Sequence, residues 1–274
     1  MKKGWSVLAA CVLVVMMWVP WAYGQAPADK PAAQSSGKWE FSVTPYIWAT
    51  QVDSKVTVKG HNATSTTTFS DIWDNLNMAG LIHFEGIKGG KWGFFLDGIY
   101  LKIRGDGDYQ RARTAGLVTP PTRDLTLAMD TLILEFGGIY QLAKWSLEGQ
   151  DPGQTATIDA LGGGRYWYMS IDLDTTSRIN PSGNDDWVDP FVGLRAKIDL
   201  SKKLSLNVRG DIGGFGVGSH ISYNGLGFFG YSFTPKVTAL VGYRAMYVDY
   251  ERSSGRVRYK ETLQGPIAGL TIVF

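Results

Sequence analysis

From residue 39 onward the chain alternates apolar and polar positions with a period of two, the signature of strands that separate two environments. In 187–200, Val188, Pro190, Val192, Leu194, Ala196 and Ile198 share one side, while Asp189, Gly193, Arg195, Lys197 and Asp199 share the other. In 204–216, Leu204, Leu206, Val208, Gly210 and Ile212 oppose Ser205, Asn207, Arg209, Asp211 and Gly213. Leu132, Leu134, Phe136 and Tyr140 likewise oppose Thr131, Glu135 and Gln141, and Trp92, Phe94, Leu96 and Tyr100 oppose Phe95 and Asp97. These segments are longer than the usual strand of about five or six residues. They predict strands over 39–51, 77–88, 91–103, 125–143, 157–173, 187–200, 204–219, 225–234 and 237–251, with a last strand from about Arg258 to Phe274. The total is about ten, with eight or twelve as alternatives.

The connections alternate in length. Turns near 89, 202 and 235 are short, whereas 52–76, 104–124 and 174–186 are long and polar; only 144–156 breaks the pattern. An even number of strands with short turns on one side and long loops on the other predicts an all-β, antiparallel, up-and-down transmembrane β-barrel. In hydrocarbon every backbone polar group must be satisfied within the sheet, so the sheet has to close. The charges then point into a narrow lumen and the apolar side chains face lipid. Glu85, Asp97, Glu135, Arg165, Arg195, Arg209, Asp211 and Arg244 form the predicted lumen network, with Tyr46, Trp48, Phe95 and Phe215 helping to fill the interior. On the last strand Pro266, Ala268, Leu270, Ile272 and Phe274 are predicted to face lipid.

The N-terminus carries Lys2 and Lys3, an apolar run and "AYG" at 22–24, which together predict a cleaved signal peptide over 1–24. A flexible Pro/Ala/Ser-rich lead-in over 25–38 follows, and the barrel occupies 39–274. Cys11 is the only cysteine, so the mature chain has no disulfide and no thiolate chemistry. The net charge of +2 encourages no nucleic-acid reading, and no nucleic-acid partner is predicted. The 34 glycines among 274 residues exceed the usual share of about 7%.

The stretches "WEFSVTPYIW", "FSDIWDNL", "GKWGFFLDGIYL", "GGRYWY", "DPFVGLR", "GYRAMYVDYE" and "GPIAGLTIVF" resemble small OmpA-like and porin-like β-barrels of the Gram-negative outer membrane. The resemblance implies outer-membrane lipids and lipopolysaccharide as surroundings. The terminal Phe with alternating apolar residues also resembles the signal by which the barrel assembly machinery recognises its clients. No activity comes with it, because a barrel fold hosts many functions.

Candidate chemistry is sparse. The inward charges suit either a mutually neutralising structural network or a channel for a small solute. His220 and Ser222 resemble the His-x-Ser pair of outer-membrane phospholipases and lipid A deacylases, which makes a lipid acyl hydrolase the enzyme-class alternative. Tyr223 stands where an Asn is expected, however, and a polar turn is the simpler reading, so no catalytic residue is assigned. "FSDIWDNL" at 69–76 predicts one loop helix, with Ser70 as its cap. His61 falls in a loop and His83 faces inward beside Glu85. Acidic runs at 105–108, 172–174 and 184–186 are assigned to external loops, and the glycines of "GGFGVG" at 213–218 to a crowded strand. Neither a metal site nor a cofactor is predicted. The combined expectation is a structural envelope protein or a small-solute channel.

Overall fold

A computed structural model describes residues 37–58, 61–74, 76–106, 125–147, 154–175, 182–251 and 257–274. The predicted signal peptide and all but the last two residues of the lead-in lie outside the described residues.

The elements run β1 (Trp39–Trp48), β2 (Gln51–Val58), β3 (His61–Thr67), α1 (Phe69–Asp74), β4 (Leu76–Lys88), β5 (Trp92–Asp106), β6 (Leu125–Ser146), β7 (Thr155–Thr175), β8 (Ser182–Asp199), β9 (Leu204–Gly213), β10 (Ile221–Thr234), β11 (Val237–Glu251) and β12 (Val257–Val273). Ten strands close a barrel in the order β1-β4-β5-β6-β7-β8-β9-β10-β11-β12, every pair antiparallel, with β12 returning to β1. The closing register sets Ser42 against Val273 and Trp48 against Ile267. Phe41 and Phe274 exchange backbone hydrogen bonds of 2.9 and 3.2 Å, which complete the seam.

Two strands stand outside the cylinder. The expected polar loop over 52–76 is instead a hairpin, β2 pairing with β3, and it extends the sheet from the outer half of β12. The run expected as one strand over 39–51 breaks at Ala49 and Thr50. Below the break β1 pairs with residues 267–273 of β12, and above it β2 pairs with 257–264. The helix is shorter than expected, since Leu76 already belongs to β4. Its cap is Thr68 rather than Ser70: Thr68 N–H donates to Asp71 Oδ2 at 3.0 Å and Asp71 N–H donates back to Thr68 Oγ1 at 3.4 Å, the reciprocal pattern of a capping box.

β7 and β8 also outrun the expected loop at 174–186, their ladder continuing to the Asp172–Ser182 pair. The acidic runs at 172–174 and 184–186 therefore sit on strands, and Gly105 and Asp106 end β5. His61 opens β3 rather than lying in a loop. At the other end the turns are tight. Gly89 and Gly90 take positive φ of 58° and 67°, and Lys91 N–H donates to Lys88 O at 3.1 Å, the mirror-image turn that suits a twisted hairpin.

The two faces of the sheet are inverted relative to a water-soluble barrel. Val192 and Leu194 are each 55% exposed on the outer face, and Leu96, Phe136, Val208, Phe229 and Val241 join them in an apolar belt. Trp39, Trp92, Phe233 and Phe274 are exposed along its short-turn rim, and Tyr223 and Tyr243 toward the other. Pro266, Ala268 and Phe274 are exposed on this face, with Leu270 and Ile272 half-buried between them. Eight residues of strand at about 3.3 Å each, tilted by about 40°, cover roughly 20 Å, close to the ~25 Å apolar band of outer-membrane barrels.

Candidate functional site: the ionic core of the lumen

The inward face of every barrel strand contributes to a packed interior with two ionic layers. The central layer joins six charges. Arg165 Nε donates to Glu135 Oε1 at 2.9 Å and its Nη2 to Asp211 Oδ1 at 2.6 Å. Arg209 Nε donates to Asp211 Oδ2, and its Nη2 to Glu135 Oε2, both at 2.9 Å. Arg244 reaches across the lumen to Glu135 Oε1 at 2.8 Å and to Asp97 Oδ1 at 2.9 Å. Three guanidinium groups thus meet three carboxylates, and the charges cancel inside a region where an unpaired ion would be costly. Glu135 and Arg165 are 0% exposed.

Neutral groups use the remaining donors and acceptors. Asn224 donates to Asp211 Oδ2 at 2.8 Å and accepts from Arg244 Nε at 3.1 Å. Tyr46 donates its hydroxyl to Asp97 Oδ1 at 3.0 Å. The arginine planes rest on aromatic rings: Arg209 lies 4.9 Å from the Phe95 centroid, Arg165 5.2 Å from Phe191 and Arg244 5.4 Å from Trp48.

A second layer lies toward the short-turn end. Arg195 holds Asp159 Oδ2 through Nε and Nη2, at 3.0 and 2.8 Å, and its Nη1 holds Glu85 Oε2. Lys197 Nζ donates to Glu85 Oε1 at 3.2 Å, and His83 Nδ1 lies 3.1 Å from Asp97 Oδ2. Arg195 and Arg209 are register partners on β8 and β9. Their repulsion is relieved because one turns to the Asp159–Glu85 pair and the other to Glu135 and Asp211.

The structure brings all eight predicted lumen charges into these two layers. Asp159, Lys197, Tyr46, His83 and Asn224 complete them. Asp159 shares the parity of Arg165 in "TIDALGGGRYW", and Lys197 that of Arg195, so the alternation along each strand points to both. Asp189 has the same parity but serves a turn instead. Its carboxylate accepts the Ser219 backbone N–H at 2.6 Å and Oγ at 2.8 Å, anchoring the β9–β10 connection.

Beyond the central layer, toward the loop end, the lumen is filled with rings. Trp167 stacks on Trp187 at 5.8 Å, Trp187 on Tyr250 at 4.0 Å, and Tyr250 on Tyr259 at 6.4 Å. The middle contact crosses the lumen from β8 to β11. Ile99, Ile133, Met246, Val248 and Leu263 pack around the stack, and Trp48 and Phe95 point inward and are buried as expected.

Phe215 does not point inward. Strand β9 stops at Gly213, and Gly214, Phe215 and Gly216 all take positive φ, at 88°, 50° and 75°. The parity expected to continue to 219 is lost in that turn, and Phe215 is left 54% exposed. Only Gly213 of the "GGFGVG" run remains in the sheet.

His220 and Ser222 are not assembled as a catalytic pair. His220 Nε2 lies 3.2 Å from Glu251 Oε2 on the exposed side, while Ser222 Oγ is buried and has no hydrogen-bond partner among the described residues. No group of three or more metal-ligating side chains occurs among the described residues.

No protein-family model and no curated protein matches the chain. Solved structures similar to it include the outer membrane protease OmpT of Escherichia coli, at 10% identity over 88% of this chain and 100% of that one, with a TM-score of 0.49. The transport unit of the autotransporter AIDA-I of Escherichia coli covers 97% of this chain and 98% of its own at 8% identity and a TM-score of 0.38. Ail, the attachment invasion locus protein of Yersinia pestis, covers 86% and 98% at 7% identity and a TM-score of 0.36. A sheet closed by β12 on β1, an exterior belt without charges at its centre and an ionic interior make the chain a transmembrane β-barrel.

Proposed function

We propose that the protein is a non-enzymatic structural component of the outer membrane, with a lumen closed to solutes. The observation that carries this reading is the central ionic layer. Its side chains come from β5, β6, β7, β9 and β11 and meet in the middle of the lumen, so the charges satisfy one another rather than line a continuous path. The stack of Trp167, Trp187 and Tyr250 lies over it as a second barrier. A selective pore would instead present charged side chains to passing water and ions.

The test is planar-bilayer conductance. Folded wild-type protein is expected to give no discrete openings, and Trp187→Ala combined with Arg244→Ala is expected to give them. Discrete openings in the wild type refute the closed lumen. The hydrolase alternative asks His220 to take a proton from Ser222, whereas the observed His220 partner is Glu251. Lipid release that disappears in Ser222→Ala would restore that alternative; equal release from both proteins removes it.

A further inference from the structure

The interior is filled unevenly. On the β5–β8 side, Phe95, Ile139, Leu161 and Phe191 pack into one apolar cluster. Elsewhere, where Gly230 of β10 leaves its inward position without a side chain, a cavity of about 240 Å³ remains between the central ionic layer and the short-turn end. Its walls differ in chemistry. One is apolar, built by Leu226 and Phe228 of β10, Leu240 of β11 and Ile267 of β12. The facing wall carries His83, Glu85, Arg195 and Lys197.

The hydrogen bonds decide which sign of charge the cavity accepts. Both Glu85 oxygens are taken by Arg195 and Lys197, and both Asp97 oxygens by Arg244, Tyr46 and His83. The carboxylates therefore have little left to offer a cation. Lys197 is the opposite case. Its ammonium has three donors, of which one goes to Glu85, and its side chain is 40% exposed. Asn207, the register partner of Lys197 on β9, lines the same cavity.

We propose that the cavity binds a small organic anion with an apolar body. Its carboxylate accepts from Lys197 Nζ beside Asn207, and its hydrocarbon lies against Leu226, Phe228, Leu240 and Ile267. An apolar cavity of about 150 Å³ accommodates benzene, so this one suits a carboxylate of roughly six to eight carbons. The site is independent of conductance, since a closed lumen can still hold a ligand on one side of its barrier.

The probe is hexanoate, titrated calorimetrically into the full barrel in lipid nanodiscs, with empty nanodiscs subtracted and 1-hexanol as the uncharged comparison. Saturable binding of one hexanoate per barrel is expected. Lys197→Met should weaken hexanoate at least tenfold and leave hexanol within about twofold. Leu226→Trp, which fills the apolar wall, should abolish both; Thr238→Phe serves the same purpose if Leu226→Trp gives no heat-modifiable band. Absence of saturable hexanoate binding to the wild type overturns the site. Equal hexanoate affinity in Lys197→Met overturns the anion assignment, and unchanged binding in a folded filling variant overturns the location.

Discussion

Replacing Glu135 by Gln preserves its shape and removes its charge. In the native barrel the carboxylate accepts from Arg165, Arg209 and Arg244 at 2.9, 2.9 and 2.8 Å, with no exposure to water. The variant leaves three guanidinium groups facing two carboxylates, Asp97 and Asp211, so one positive charge is buried without compensation. The amide NH2 must also point at an arginine. Breaking a buried ionic group in this way costs about 3–5 kcal/mol, far more than the median surface pair. At about 1.4 kcal/mol per tenfold change, the folded-to-unfolded ratio should fall by two to four orders of magnitude. Urea unfolding from liposomes, followed by tryptophan fluorescence and by heat-modifiable mobility in cold gels, measures the shift. Asp159→Asn is the internal comparison. Among the described residues Asp159 pairs with Arg195 alone, and Arg195 keeps Glu85, so about 1–2 kcal/mol is expected there. A Glu135→Gln barrel within about 1 kcal/mol of wild type, or an Asp159→Asn barrel equally destabilised, refutes the central layer as the main electrostatic support.

Trp187→Ala removes the ring between Trp167 and Tyr250 and should cost about 3–5 kcal/mol in the same urea assay, whereas Trp92→Ala on the outer rim should cost far less. Gly163→Ala should block assembly, because its Cβ would lie 2.0 Å from Phe136 O and 2.6 Å from the Gly137 Cα; the absence of a heat-modifiable band is the readout. Leu194→Arg places a charge in the middle of the apolar belt and should destabilise by about 2–4 kcal/mol, while Val217→Arg, on the exposed β9–β10 turn, should be neutral within about 0.5 kcal/mol.

The strands are legible where their two faces meet different surroundings. Leu194 and Arg195 can be assigned to opposite sides because lipid and lumen demand opposite chemistry. The β2–β3 hairpin carries the contrast only in part: Val52, Val56 and Val58 alternate with Asp53, Lys55 and Thr57 on β2, but "HNATSTT" of β3 is polar except for Ala63, so the stretch reads as a loop. The first residues of β8, "SGNDD" at 182–186, are polar in the same way. Phe215 escapes the alternation because the glycines around it fit a crowded strand as well as a turn, and only the positive φ values separate the two. Parity places Glu135 and Arg244 inside, but their contact joins β6 to β11 across the lumen, and neighbour rules along a sheet contain no such distance. The hollow is equally hidden, because its lining comes from β1, β4, β5 and β7 to β12, which face one another only after closure.

The cross-lumen reach of Arg244 also constrains how the molecule is made. Until β11 stands opposite β5 and β6, its guanidinium has neither Asp97 nor Glu135 to bind, and a partly inserted ribbon would drag a bare cation through hydrocarbon. Intermediates that hold β11 without β5 and β6 are thereby penalised by a buried cation that the closed barrel neutralises.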